Sequence, residues 1–402
     1  MHQVDVDGVS VLAQDTFRKL RANSPPGGWF PALQDLDWRI TKSNLPHVDI
    51  FFSPNLKTIH ISIPWAWRNS NIPRDLLPTI ASTISALPTS ALQSFIIPVD
   101  YCMRPPEYFK DSLSTAALRC GPSLVEFTSP ISLSEAAVDH LIQLPHLRTW
   151  HIKGPPPSYT VSSLPLVFPP LTTLRLGEGA GRGWLSLLKR LEASGSAAQG
   201  VTSLSRVKES LQSLFIINSP GPIIDTSLIS PIQMFRNLAC LNVNISCHDR
   251  RNVGQCAFKL NNDDITKLAM ALPQLNTLVF GDPCFENTCT TTVACLLPIS
   301  VYCLKLFWLA IHFNTTNIVE DLMDILEAPK FEELRSLPKC SLCRLNVGRI
   351  PLTLDGSDFE IAANAMIDIF PSLKRCEGRG VFEGTWQGLS ERIAELQETR
   401  SR

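Results

Sequence analysis

Charge is scarce in this sequence and almost balanced. Charged residues make up 18%, below the roughly one quarter usual in soluble domains, and the formal net charge is −1. Without a basic excess the chain has no electrostatic footprint for nucleic acid, and no acidic run marks a solvating tail. Long apolar runs are missing too. Hydrophobic residues reach 44%, yet every run is interrupted well short of the roughly 18 residues that would suggest a membrane span. The first residues, Met1-His-Gln-Val-Asp-Val-Asp, lack the basic start and apolar core of a signal peptide. These absences predict a cytoplasmic or nuclear protein that engages neither nucleic acid nor membrane.

Catalytic and metal motifs are equally thin. Eight histidines are scattered, and none falls in a triad or metal pattern. Cys240, Cys247, His248 and Cys256 have no recognised ligand spacing, and Cys340 and Cys343 form a lone C-x-x-C. The twelve cysteines lack the secretory context that would make them a disulfide framework. Cys240, Cys303 and Cys376 are therefore expected as reduced, buried thiols. The sequons at Asn244 and Asn314 are expected to be unused for the same reason. Gly177-Glu-Gly179-Ala-Gly181-Arg-Gly183 follows a strand and opens a helix-like segment, which is the setting of an anion-binding loop. Its spacing is not G-x-G-x-x-G, and no Gly-Lys-Ser/Thr follows. A nucleotide-binding enzyme built on residues 177–183 is the alternative reading. The main reading has no enzyme, no cofactor and no metal.

What is abundant is one phrase. A proline, one residue, a leucine, two residues and another large apolar residue recur as Pro31-Ala-Leu33-Gln-Asp-Leu36, Pro54-Asn-Leu56-Lys-Thr-Ile59 and Pro122-Ser-Leu124-Val-Glu-Phe127. The same phrase starts at Pro145, Pro169, Pro273 and Pro371, and without the proline it recurs at Leu92, Leu211, Leu238, Leu306 and Leu342. That makes twelve units, spaced about 31 residues apart on average, longer and less even than the roughly 20–29 of a leucine-rich repeat. A fixed period of this kind signals a solenoid, in which neighbouring units share one core and present a long binding surface.

One unit is readable in physical terms. The alternation after the leucine suits a short strand with one buried face. The proline cannot continue a preceding helix. Between the strands, apolar residues fall at helical spacing in Ser134–Ile142, Trp184–Leu191, Asp264–Leu272, Ile318–Leu326 and Phe359–Ile369. The predicted fold is α/β: a leucine-rich-repeat solenoid with parallel strands on the concave face and helices on the convex face. Its expected parts are an N-terminal helical cap or partial repeat over 1–29, the repeats over 30–380 and a C-terminal capping helix over 381–402. Trp386, Leu389, Ile393 and Leu396 lie along one side of that last helix.

The repeat phrase resembles that of fungal F-box/leucine-rich-repeat proteins. So do the closing segments Cys343-Arg-Leu-Asn-Val-Gly-Arg-Ile-Pro-Leu-Thr-Leu and Ile369-Phe-Pro-Ser-Leu-Lys-Arg-Cys-Glu-Gly. The resemblance covers roughly residues 30–380. It implies the substrate-recognition part of a ubiquitin-ligase receptor, with the repeats holding a protein substrate. A regulatory repeat protein unrelated to ubiquitin is a second alternative reading. The F-box signature is absent before Leu33, where Val9–Leu20 reads as an amphipathic helix. A cullin-ligase adaptor is therefore implied as a partner only where an F-box precedes Met1. The asparagine that usually follows the strand in this family is also mostly missing, with Asn314 alone at its offset.

Strand alternation selects candidate contact residues. The residues flanking the second apolar position point away from the core. These are Asp35 and Asp37, Thr58 and His60, Thr149 and His151, Thr173 and Arg175, Ser213 and Phe215, Trp308 and Ala310, and Arg344 and Asn346. The next outward position adds Lys153, Asn244 and His312. Large aromatics and arginines dominate binding hot spots. A protein or peptide partner is thus expected along His151, Arg175, Phe215, Trp308, His312 and Arg344.

Overall fold

A computed structural model describes residues 3–5, 11–25, 28–40, 45–62, 76–97, 107–129, 131–153, 169–177, 187–189, 205–218, 225–245, 258–281, 290–327, 338–348, 352, 354–378 and 383–402. The chain divides into two compact units, Met1–Val207 and Lys208–Arg402. The division falls inside the stretch that the repeat phrase predicts as a single array.

Unit 1 is built on seven parallel strands: β1 (Gln3–Asp5), β2 (Asp35–Arg39), β3 (Thr58–Ser62), β4 (Ser94–Ile96), β5 (Glu126–Thr128), β6 (Thr149–Ile152) and β7 (Thr173–Leu176). Each pairs with the next in chain order. Helices α1 (Val11–Ala22), α2 (Leu76–Ala86), α3 (Glu107–Leu118) and α4 (Glu135–Ile142) connect them, with a 3-10 turn at Leu45–Phe51. A short helix, α5 (Ser205–Ser210), follows. Unit 2 repeats the plan with β8 (Ser213–Asn218), β9 (Cys240–Ile245), β10 (Thr277–Phe280), β11 (Trp308–Ala310), β12 (Arg344–Gly348) and β13 (Arg375–Gly378). These also pair in parallel and in order. Its helices are α6 (Thr226–Ile232), α7 (Asn262–Ala271), α8 (Leu296–Tyr302), α9 (Ile318–Glu327), α10 (Gly356–Ile369) and α11 (Glu383–Ser401). Parallel pairing in chain order, with helical crossovers, makes each unit a solenoid-like α/β array. The repeat phrase does not predict strand β1, because three residues are too few to carry a pattern.

The repeated phrase has a structural cause beyond stopping helices. The amide of Leu33 donates to the carbonyl of Phe30 at 3.0 Å, that of Leu147 to Leu144 at 3.3 Å and that of Leu373 to Phe370 at 3.0 Å. Each bond closes a four-residue turn with the proline at its second position, where a fixed φ is favourable. Leu56, Leu124 and Leu275 make the same bond behind Pro54, Pro122 and Pro273. Leu92, Leu238 and Leu306 keep the turn without proline. The turn aims the leucine inward, and all twelve first leucines, from Leu33 to Leu373, are at most 2% exposed. Behind them Leu36, Ile59, Phe95, Phe127, Trp150 and Leu174 stand in register along unit 1. Leu214, Leu241, Leu278, Leu309, Leu345 and Cys376 do so along unit 2. Each such buried side chain contributes about 1.5–3 kcal/mol of transfer free energy.

Local signals fix the helices. Ser134 caps α4 by accepting from the amide of Ala137 at 3.3 Å. Asn261 and Asp264 form a reciprocal capping box at the start of α7. At the C-terminal side, α11 buries Trp386, Leu389 and Ile393 completely. Its Ser390 hydroxyl accepts from the amide of Cys376 at 2.6 Å and donates to the carbonyl of the same residue at 2.9 Å. Backbone groups of β13 are thereby satisfied by a side chain, one way to blunt a strand edge. Gln397 donates to the carbonyls of Pro371 and Leu373, and Arg400 pairs with Asp368 at 2.7 Å. Leu396 is half-buried.

Candidate interaction face

Opposite the inward row, each strand shows two outward positions, and the ladder register aligns them into two rows. In unit 1 one row runs Asp35, Thr58, Ser94, Glu126, Thr149 and Thr173. The other runs Asp37, His60, Ile96, Thr128, His151 and Arg175. In unit 2 the first row is Ser213, Cys240, Thr277, Trp308, Arg344 and Arg375. The second is Phe215, Asn242, Val279, Ala310, Asn346 and Glu377.

His151 and Arg175 are direct register partners in unit 1. Burial, and secondarily the Arg175 charge, lowers the His151 pKa from 6.5 to about 4, so the imidazole is neutral at pH 7. Its Nε2 is shielded from solvent and has no hydrogen-bond partner. Elsewhere on this face His60 Nδ1 lies 3.3 Å from the Asp37 carboxylate, and the Ser94 hydroxyl donates to Glu126 at 3.0 Å.

Trp308 and Arg344 are register partners in unit 2. The Arg344 guanidinium lies 5.7 Å from the indole centroid, within cation–π range. One of its nitrogens, Nη2, pairs diagonally with Glu377 at 3.0 Å. Phe215 stands in the second row at the far strand, half-buried. Between it and Asn346 that row holds Val279 and Ala310, which are 8% and 9% exposed. Three polar atoms here are shielded from solvent without a partner: Asn242 Oδ1, Trp308 Nε1 and Arg344 Nε. Such groups cost free energy until something pairs with them. Trp150 Nε1 and Thr89 Oγ1 are unpaired as well. Both of those side chains lie in buried positions of unit 1, away from any outward row.

His312 corrects the sequence reading. Strand alternation predicts it on the outward face, but it is buried at 6% exposure, beside Phe258 with ring centroids 6.4 Å apart and close to Gly281. Strand β11 ends at Ala310, so the alternation that would turn His312 outward stops before reaching it. The sequence reading also misses three relevant residues: Asn242, Arg375 and Glu377. The rule that selects Trp308 and Arg344 selects them too, one strand or two further along.

The other sequence candidates add little chemistry. Gly177 continues the ladder by donating to the Ile152 carbonyl at 2.6 Å, and 178–183 lie outside the described residues. Cys247, His248 and Cys256 are also outside them, and no metal-binding group occurs among the described residues. The seven described cysteines are free thiols. Burial pushes the Cys303 and Cys376 pKa values up to about 12, so these thiols stay protonated and inert. Cys240 is half-buried on the outward row instead of in the core. No described helix is long and apolar enough to cross a membrane. No family model matches the chain, and no curated protein matches it.

Proposed function

We propose that this chain is a leucine-rich-repeat interaction module that binds a protein or peptide partner on the outward strand face of unit 2. One observation carries the reading. That face places Phe215, Val279, Ala310 and Trp308 where a solvated strand face has polar groups, and it leaves Asn242, Trp308 and Arg344 with unpaired polar atoms among them. An apolar centre with unpaired donors and an acceptor is the composition of a binding hot spot before its partner arrives. The proposal is for binding and not catalysis. The resemblance to fungal F-box/leucine-rich-repeat proteins supports substrate capture for ubiquitin ligation in the cytoplasm or nucleus.

The test is comparative affinity capture from a fungal lysate, with the wild type beside Trp308→Ala and Phe215→Ala. Proteins retained by the wild type and lost from both variants, whose melting curves match the wild type, support the reading. Identical capture profiles sink it. Recovery of the cullin adaptor among the retained proteins would support the ligase role, and its absence from a profile otherwise rich in Trp308-dependent partners would remove that role.

A further inference from the structure

Arg344 and Arg375 face each other directly across the β12–β13 ladder. Register partners on adjacent strands lie about 4.8 Å apart, and like charges so placed repel. Glu377 answers only part of this charge, through one Arg344 nitrogen. Arg375 is exposed and makes no ion pair among the described residues. The groups left unanswered along this row are the Arg344 Nε–H, the Trp308 Nε1–H and the Arg375 guanidinium. All are donors, and a guanidinium or indole has no acceptor to offer. An occupant must therefore bring acceptors, and two adjacent guanidinium groups fit an anionic group with paired oxygens.

The surroundings decide what carries that anion. Val279 and Ala310 lie in the next row and are nearly buried, and Glu377 sits beside the arginines. A phosphate backbone would meet that carboxylate repeatedly, and the chain has no basic excess to attract one. An extended peptide avoids both problems. It sets one acidic side chain against the arginines and one apolar side chain on the Trp308 side, and its amides can supply the donor that Asn242 Oδ1 lacks.

Resting on the reading of this face as a docking surface, we infer that strands β11–β13 form a subsite for an acidic side chain of an extended peptide, gripped by Arg344 and Arg375 beside Trp308. The shared chemistry is a carboxylate or a phosphorylated side chain.

Immobilised degenerate peptide libraries test this, each with its central position fixed as Glu, phosphoserine, Gln or Lys. The full chain is probed as wild type, Arg375→Glu, Arg344→Gln and Trp308→Ala. Arg375 is exposed, and its charge reversal replaces a like-charge cross-strand pair with an opposite one, so the variant should melt no lower than the wild type. The expected result is preferential capture of the Glu or phosphoserine library, weakened on the order of tenfold by Arg375→Glu, which should gain the Lys library. The preference between Glu and phosphoserine identifies the anion. Capture that ignores the fixed charge but is lost in Trp308→Ala would overturn the acidic subsite and leave the docking face standing. Failure of the wild type to capture any library, or capture of poly(U) RNA instead, would overturn both.

Discussion

Unit 1 fills its outward rows mainly with polar groups, two pairs of which answer one another, while His151 Nε2 stays unpaired. Asp37 meets His60, Ser94 meets Glu126, and threonines occupy half of the remaining eight places. Unit 2, built on the same turn and the same inward leucines, fills the corresponding rows with Phe215, Val279, Ala310 and Trp308, and leaves polar atoms unpaired. The inner face of a repeat is constrained by packing and varies little. The outer face is free of that constraint, so differences there report binding chemistry. By this measure the outward face of unit 1 is the more polar, with one shielded unpaired atom at His151, and that of unit 2 is the more apolar, with three at Asn242, Trp308 and Arg344.

The comparison can be broken first at its shared half. Leu147→Ala in unit 1 and Leu238→Ala in unit 2 should each cost about 2–5 kcal/mol, because both leucines are fully buried. Denaturant unfolding measures this. A neutral result in either unit would mean that the two do not share one core rule.

The difference between the faces comes next. Phe215→Ala or Trp308→Ala should weaken partner affinity by about 2 kcal/mol or more. Asp37→Ala and Ser94→Ala, on the outward face of unit 1, should change it by less than about 0.5 kcal/mol. Titration calorimetry with a partner recovered by capture would show the contrast. Equal losses from both faces would erase the distinction.

Two glycines sharpen the comparison at the level of single contacts. A Cβ at Gly121 in unit 1 would run into the backbone carbonyl of Ser90, and one at Gly378 in unit 2 into the Trp386 ring. Alanine should destabilise each by about 1–3 kcal/mol. Gly121→Ala should lie at the upper end, because backbone yields less readily than a ring. Paired melting curves decide the order.

The last contrast is pH dependence. The His151 pKa is depressed to about 4 in the folded chain against 6.5 ordinarily. Below pH 6.5 the unfolded chain takes up a proton that the folded chain refuses, so stability falls as pH drops from 6.5 towards 4. His151→Gln should flatten that part of the stability curve in urea titrations at pH 7 and pH 5. An unchanged slope would mean that His151 titrates as freely as an exposed histidine.

Much of this molecule is legible in short stretches of its sequence. The phrase around each first leucine predicts the strands β2–β13 in the right register, because one proline turn and one alternating strand need only local residues. His312 and the partial burial of the row at Val279 and Ala310 lie beyond that reach. Strand β11 stops at Ala310, and beyond it His312 lies beside Phe258, a residue far away in the chain. The opposition of Arg344 and Arg375 follows from the shared phrase position, but the diagonal pairing of Arg344 with Glu377 needs the folded ladder.

What the sequence determined by itself was the repeat: the proline turns, the inward leucines and the order of parallel strands, each set by short-range sterics and the burial of apolar side chains. What the tertiary structure decided was which outward groups find partners. The register places Asp37 beside His60 and leaves Trp308 Nε1 unanswered. Hydrogen bonds and charges act over a few ångströms, and only folding fixes those distances.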